Sequence, residues 1–158
     1  MTNNNHTLRT DTQLSVFLVN KPGVLARVCQ QLADSKINIV GMSMMDSTEH
    51  GVLRMVVEEP QRARGMLTHL DVPTTETQVL VATLPNRPGA LADMVERLAA
   101  AHINVNYAYC TTGAPGGKTL GIFKVTDNQK AMHVLEERKP RRKEPLAAVR
   151  AEPRARRR

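Results

Sequence analysis

The sequence predicts an α+β protein of two βαββαβ modules in tandem, each with an antiparallel sheet and helices on one face. Two observations support this prediction. Residues 20–39 (NKPGVLARVCQQLADSKINI) align without gaps to residues 86–105 (NRPGALADMVERLAAAHINV), and nine of these twenty positions are identical. Around both copies, strand-like and helix-like apolar patterns follow one another in the same order. The chain therefore contains two related modules, offset by 66 residues.

Each module opens on a strand and a helix. The first strands are expected over residues 14–19 and 79–84, which are apolar runs with the β-branched content of a buried strand. An Asn and a Lys/Arg-Pro-Gly turn follow, and apolar residues then recur at helical spacing for about three turns. The helices are expected to end near Lys36 and His102. Their apolar faces are Leu25, Val28, Cys29 and Leu32 in the first module and Leu91, Met94, Val95 and Leu98 in the second.

Two more strands and a second helix follow in each module. Pro60 suits the first turn of one second helix, and Asp127 or Asn128 suits the cap of the other. The strands are expected over residues 38–45 and 52–58 in the first module and over residues 104–111 and 120–125 in the second.

A fourth strand is needed to complete each ferredoxin-like βαββαβ unit. In the first module it is expected at residues 74–78, directly before the second module begins. In the second module it falls within residues 138–149, where residues 146–149 are the only apolar stretch. The predicted organisation is a disordered N-terminus at residues 1–11, modules at 12–77 and 78–137, and a basic, disordered tail at 138–158.

The net charge of +7 comes from the C-terminal tail. Residues 138–158 hold ten Lys or Arg and two Glu, whereas the rest of the chain holds twelve basic and thirteen acidic groups. The tail has too few apolar residues to offset the entropy of ordering, so we expect it to be disordered. It is either a solvated extension or an electrostatic arm for nucleic acid, an acidic partner or a membrane surface, and its lack of aromatics disfavours base stacking.

The composition excludes several classes of protein. The apolar runs are too short to cross a bilayer and the start (MTNNNH) is unlike a signal peptide, so we expect a cytoplasmic protein with no membrane partner. The two cysteines are too few for a disulfide framework, and the five histidines show no metal-ligand spacing. Residues 113–119 (GAPGGKT) lack the spacing of a phosphate-binding loop and are expected to form a hairpin. The sequence therefore predicts no metal, no cofactor and no enzymatic activity.

The duplicated turn resembles that of the ACT domain. Its motif N-(K/R)-P-G-x-L is followed about a dozen residues later by I-N-(I/V). Over about residues 12–137 the chain is similar to small tandem-ACT proteins that carry no enzyme domain. The motif occurs at residues 20–25 with 37–39, and again at residues 86–91 with 103–105.

This resemblance implies a regulatory protein that binds a free amino acid at the interface between modules. The turn after the first strand and the start of the second strand would supply the contacts. Helix-start amides suit a carboxylate, glycine permits close approach, and asparagine amides suit either end of the ligand. The expected contacts are Asn20, Pro22, Gly23, Val24, Leu25, Asn38 and Ile39 in the first module and Asn86, Pro88, Gly89, Ala90, Leu91, Asn104 and Val105 in the second.

Plainer interpretations of the same residues stay open. Asn20 and Asn86 would also suit ordinary helix caps, with Pro in the first turn. Asn38 and Asn104 would also suit a tight bend between helix and strand. The modules differ most along their second strands, where one carries Met42 and Met44 and the other Tyr107 and Tyr109. Such residues pack sheets more often than they contact ligands, so we rank them below the turns.

Three functions remain compatible with the sequence. The leading hypothesis is a non-catalytic amino-acid sensor that signals allosterically to a partner protein. The second is a regulatory subunit of an amino-acid biosynthetic enzyme, and the third is a nucleic-acid-binding regulator that uses the basic tail. The resemblance also implies a homodimer.

Overall fold

The computed structural model describes residues 7–45, 50–114 and 117–137, which form six strands and four helices. The predicted order of elements is confirmed over this range, except that the strands predicted at residues 74–78 and 79–84 are one strand. The elements are β1 (Leu8–Val19), α1 (Val24–Asp34), β2 (Ile39–Met45), β3 (His50–Val57), α2 (Pro60–His69), β4 (Thr74–Pro85), α3 (Ala90–Ala100), β5 (Val105–Ala114), β6 (Lys118–Val125) and α4 (Asn128–Glu136).

The strands form one sheet in the order β2-β3-β1-β4-β6-β5, and all neighbouring pairs are antiparallel. The two central strands, β1 and β4, are 12 residues long. Their shared register runs from Leu8 opposite Ala82 to Val16 opposite Thr74. The carboxyl half of β1 pairs with β3 on its other edge, and the carboxyl half of β4 pairs with β6. The central pair therefore joins the two halves of the chain into one sheet.

All four helices pack on one face of this sheet. Alternate side chains of each central strand point to that face, because successive residues of a strand point to opposite sides. α1 and α2 cover one apolar cluster with the carboxyl half of β1, and α3 and α4 cover a second with the carboxyl half of β4. Val28, Leu32, Met94 and Leu98 lie in these clusters, as the helical spacing predicts.

The prediction of a disordered N-terminus up to residue 11 was wrong, because β1 begins at Leu8. Residues 8–12 pair with β4, which supplies hydrogen-bond partners for the backbone groups on that edge. Leu8 also packs against the apolar cluster under α3 and α4. The strand was not predicted here because this stretch is half-exposed and its residues are mostly polar.

The two strands predicted at residues 74–78 and 79–84 are one continuous strand, β4. The predicted module boundary after residue 77 therefore falls inside a strand. The fourth strand predicted within residues 138–149 lies outside the described residues, as does the rest of the tail. The predicted fourth strand of the second module would pair with one edge of β4, and residues 8–12 of β1 occupy that edge.

The ends of the helices follow the local sequence. Pro60 stands at the first position of α2, as predicted, and the Asp127 carboxylate caps α4 by accepting from Lys130 N at 2.9 Å. Lys36 and His102 lie two residues past their helices, both with a φ of 56°. Within the described ranges, no helix is long and apolar enough to cross a membrane.

Candidate functional site

Two matching turns lead from β1 into α1 and from β4 into α3. Each ends on a glycine N-cap, Gly23 with a φ of 88° and Gly89 with a φ of 85°. This left-handed region favours glycine, which explains why both copies keep it. The two turns also have equivalent backbone hydrogen bonds. In the first, Lys21 N donates to Val19 O and Arg27 N donates to Gly23 O. In the second, Arg87 N donates to Pro85 O and Asp93 N donates to Gly89 O.

The interpretation of Asn20 and Asn86 as plain helix caps was wrong. The residues at the cap positions are the two glycines, and neither cap has a side-chain hydrogen bond. The prolines of the motif precede the caps and so lie outside the first helical turn. The first-turn amides that follow each glycine have no intrahelical acceptors. The first of them in each turn bonds within the turn itself, Val24 N to Lys21 O and Ala90 N to Arg87 O, both at 3.3 Å.

The two turns differ in what surrounds the glycine. In the second turn, the Arg87 guanidinium donates to Pro88 O at 3.2 Å and to the Asp93 carboxylate at 3.2 Å. It also lies 3.8 Å from where a Cβ on Gly89 would stand, whereas nothing lies within 4 Å of that position on Gly23. The first turn therefore leaves more room for a ligand.

The asparagines at the starts of the second strands bond to neighbouring residues. Asn38 Nδ2 donates to Glu58 Oε1 at 3.1 Å, and Asn38 O accepts from Glu58 N. Asn104 Nδ2 donates to Asn106 Oδ1 at 3.2 Å, and Asn104 O accepts from Thr126 N. Both side chains stabilise the bend where a helix returns to the sheet.

The structure does not bring the predicted contacts of one half together. Ile39 lies opposite Val57, at the end of β3. The turn after β1 begins beyond Val19, which lies opposite His50 at the start of β3. In addition, the two turns lie at opposite ends of the sheet because β1 and β4 are antiparallel. A single site that contains every predicted contact is therefore absent from the described part of one chain.

The face of the sheet opposite the helices, called the open face below, is partly enclosed. The sheet curls until its outermost strands, β2 and β5, approach each other. A Cβ on Gly41 of β2 would stand only 2.7 Å from Ile122 Cδ1 of β6, so glycine permits this approach. Val56, Val79, Val81 and Ile122 form a buried apolar cluster between the curled strands.

A polar cluster spans the same enclosed space and joins β1 to β5. Gln13, which is fully buried, donates through Nε2 to Tyr107 Oη at 2.8 Å and to Ser15 Oγ at 3.1 Å. Its Oε1 accepts from Tyr109 Oη at 3.0 Å. Burial raises the pKa of Tyr109, the neighbouring Tyr107 raises it further, and Arg54 opposes the shift. Arg54 of β3 lies over the Tyr107 ring, 3.8 Å from its centroid.

Sequence reasoning ranked the two tyrosines below the turns and missed Gln13, Ser15 and Arg54. One signal was present, since the repeat pairs Gln13 with Val79 and so places a polar residue where the other copy is apolar. The cluster joins residues more than ninety positions apart, so spacing along the chain does not reveal it. Among the described residues, no group of His, Cys, Asp or Glu is arranged to hold a metal ion.

Among known protein families, the ACT domain pair matches residues 9–142 of this chain. The chain belongs to this family. The match covers both copies of the turn and all six described strands except the first residue of β1. A search of curated proteins finds no match to this ACT domain pair.

Solved structures share its fold. Protein BT0572 from Bacteroides thetaiotaomicron has a TM-score of 0.76 and 29% identity, over 82% of this chain and 88% of that one. The ligand-free regulatory subunit of aspartate kinase from Thermus thermophilus has a TM-score of 0.61 and 15% identity, over 82% and 91%. The corresponding subunit from Thermus flavus has a TM-score of 0.54 and 15% identity, over 83% and 97%.

Proposed function

We propose that this ACT domain pair is a non-catalytic regulatory protein that binds a free amino acid and signals binding to a partner protein. The observation that carries the proposal is the glycine-capped turn, present twice with the same conformation in a chain of this family. The fold shared with regulatory subunits of aspartate kinase also supports a regulatory role.

The turn after β1 is the proposed contact for the ligand carboxylate. First-turn amides at residues 23–25 carry the positive end of the helix dipole, which attracts an anion. The open space beside Gly23 admits the ligand, whereas Arg87 lies over the second turn. Asn20 and Pro22 precede these amides in the same turn and are proposed to contact the ligand beside them. Residues 86–91 are its counterpart in the second half, where the ligand would have to displace Arg87.

We also propose how the chain divides into two βαββαβ modules, over residues 12–77 and 78–137. The carboxyl half of β1 opens the first module, and residues 74–77 of β4 complete its sheet. By the same arrangement, the carboxyl half of β4 opens the second module and residues 8–11 complete its sheet. The modules therefore share their central strands, and a change at one turn is transmitted along β1 into the sheet of the other module.

The proposed partner is an enzyme of amino-acid biosynthesis, for which this chain would be a regulatory subunit. Two of the solved structures with this fold are regulatory subunits of aspartate kinase, which is the reason for this choice. Co-purification of a catalytic chain with this one would support the choice. A second copy of the chain, as a homodimer, is the other proposed partner, and sedimentation would detect it.

A thermal-shift screen against the twenty amino acids tests the proposed function. A ligand at about 100 times its Kd adds about 2.7 kcal/mol of stability, which raises the Tm of a chain of this size by several degrees. We expect Gly23→Val to abolish the response. Gly117→Val is the matched control, because Gly117 also has a positive φ and open space but lies outside the first turn. No response to any amino acid would contradict the proposed function, and an unchanged response in Gly23→Val would contradict the proposed site.

A further inference from the structure

We propose that the open face of the first half holds a second binding site, for a small carboxylate with an apolar side chain. Arg54 anchors the carboxylate, and the exposed side chains beside it cover the apolar part. This inference goes beyond the proposed function because the site is separate from the turn at Gly23 and its ligand has a stated chemistry.

The first observation is a cation without an acidic partner. Arg54 is half-buried and stacks on the Tyr107 ring, and it forms no ion pair with any described residue. Ser15 and Ser43 lie on either side of it in the sheet register, on the same face. We call Ser15, Arg54 and Ser43 the polar row. A guanidinium between hydroxyl groups suits a carboxylate, which accepts several hydrogen bonds at once.

The second observation concerns the hydrogen bonds around Gln13. Ser15 Oγ and Tyr107 Oη both accept from Gln13 Nε2, so each hydroxyl keeps its own proton for another acceptor. Neither proton has an acceptor among the described residues. With the guanidinium of Arg54, the open face of the first half therefore holds three neighbouring donor groups. Such a set of donors is complementary to an anionic ligand, whereas it offers a cationic ligand no acceptor.

The third observation is an apolar row next to the polar row. Phe17, Val52 and Met45 lie opposite one another on β1, β3 and β2, two residues along each strand from the polar row. Phe17 is 39% exposed and Met45 is 46% exposed, although both are large apolar residues. A ligand whose carboxylate reaches Arg54 would bury its apolar side chain on this row, which removes apolar surface from water.

Among the described residues the site occurs once, because the second half differs at the same registers. There the polar row is replaced by Val81, Ile122 and Tyr109, which are buried or half-buried in the enclosed cluster. The apolar row is replaced by Thr83, Leu120 and Thr111. The sequence copies therefore diverge in the chemistry of the open face while they keep the turns.

The tyrosines give a direct test, because Tyr107 and Tyr109 are the only tyrosines in the chain and it has no Trp. Their fluorescence reports directly on this site, and the variants below distinguish a direct response from one transmitted from the turn. We expect leucine and 4-methylpentanoate, which share the carboxylate and the apolar chain, to change the fluorescence of the full chain saturably. Leucinamide, which lacks the carboxylate charge, is expected to leave it unchanged.

Variants separate this site from the turn. Arg54→Met is expected to weaken binding of 4-methylpentanoate at least tenfold, because a hydrogen-bonded charge pair is lost. Tyr107→Phe keeps the ring and removes one donor, so we expect a loss of about two- to tenfold, read from the Tyr109 signal or by calorimetry. Arg64→Met is the matched control, because Arg64 lies on α2 and pairs with Glu76. Gly23→Val is expected to leave this binding unchanged.

Three results would overturn the inference. The first is the absence of any saturable change with the carboxylates, whatever the thermal-shift screen shows. The second is a response that Gly23→Val abolishes and Arg54→Met retains, which would place the ligand at the turn and leave the proposed function standing. The third is self-association of the ligand-free chain that Phe17→Ser abolishes, because a second copy would then cover the apolar row.

Discussion

The side-chain amide of Gln78 donates a hydrogen bond of 2.9 Å to the hydroxyl of Thr12, and the two residues lie directly opposite each other in the β1–β4 ladder. They are also equivalent positions of the internal repeat, which has the same offset of 66 residues. A pseudo-two-fold axis therefore passes between Thr12 and Gln78. It relates the two halves of one sheet, so the stability of either half depends on a strand that begins in the other.

Truncation of Leu8 tests this dependence. Leu8→Ala is expected to lower the free energy of unfolding by about 1–2 kcal/mol, less than the ~2–5 kcal/mol for a fully buried leucine because Leu8 is only partly buried. Chemical denaturation followed by circular dichroism measures the change. Thr10→Ala is the control, since Thr10 is exposed in the same strand. Equal stability of Leu8→Ala and the wild type would show that residues 8–12 contribute little to the sheet.

Gly41 is expected to be intolerant of a side chain because β2 approaches β6 there. Gly41→Ala would place a Cβ 2.7 Å from Ile122 Cδ1, and Ile122 is fully buried. We expect a loss of about 1–3 kcal/mol, the usual cost of overpacking.

The matched variants for Gly41 separate crowding from backbone effects. Ile122→Val removes the crowded methyl, so it is expected to recover part of the loss in a double-mutant cycle. Gly65→Ala is the control, because a Cβ at Gly65 meets nothing within 4 Å and alanine favours the helix. Additive effects of Gly41→Ala and Ile122→Val would contradict the contact.

Gln13 is expected to stabilise the enclosed face through its three side-chain hydrogen bonds. Gln13→Leu leaves the hydroxyls of Tyr107, Tyr109 and Ser15 without this partner, so we expect a loss of about 1–3 kcal/mol. In a background with both tyrosines replaced by Phe, the same change is expected to cost less, because two of the hydroxyls are already absent. Denaturation of the four variants of this cycle measures the difference. The same loss in both backgrounds would mean that the hydrogen bonds contribute nothing.

Stability is expected to fall at alkaline pH because of Tyr109. The folded state raises the pKa of this phenol, mainly by burial. In the unfolded chain it ionises near the ordinary tyrosine value of about 10. Above that pH the unfolded state binds fewer protons than the folded state, so the free energy of unfolding declines as pH rises. Below that pH Tyr109 is protonated in both states, and its contribution to the free energy of unfolding is fully present. Denaturation between neutral and alkaline pH is expected to show a smaller decline in Tyr109→Phe, and an identical decline would contradict the assignment.

The elements of the fold were predictable from the sequence because they depend on local patterns. Helical spacing predicted α1 and α3, and the repeated turn predicted where each helix begins. The glycine caps were not predicted, because the sequence offered Asn20 and Asn86 as the cap residues. The amino halves of β1 and β4 were less predictable, because they carry polar residues such as Thr10 and Glu76 that are exposed in the finished sheet. Only pairing of one half with the other makes residues 8–11 a strand.

The two candidate sites also differ in how far the sequence predicts them. The turns were found because their motif is contiguous in sequence. The cluster of Gln13, Tyr107 and Tyr109 was not found as a site, because it forms only when the sheet curls and brings β5 over β1. Arg54 shows no unusual pattern in the sequence, and its place over the Tyr107 ring depends on the same curvature.

A map of backbone amide chemical shifts during titration with a stabilising amino acid tests the central proposal most directly. We expect saturable shifts at residues 23–25, with smaller changes along β1 toward the second half, and no such shifts in Gly23→Val. If none of the twenty amino acids shifts the amides of residues 23–25 in a saturable way, the proposed role of this ACT domain pair as an amino-acid-binding regulator at this turn is contradicted.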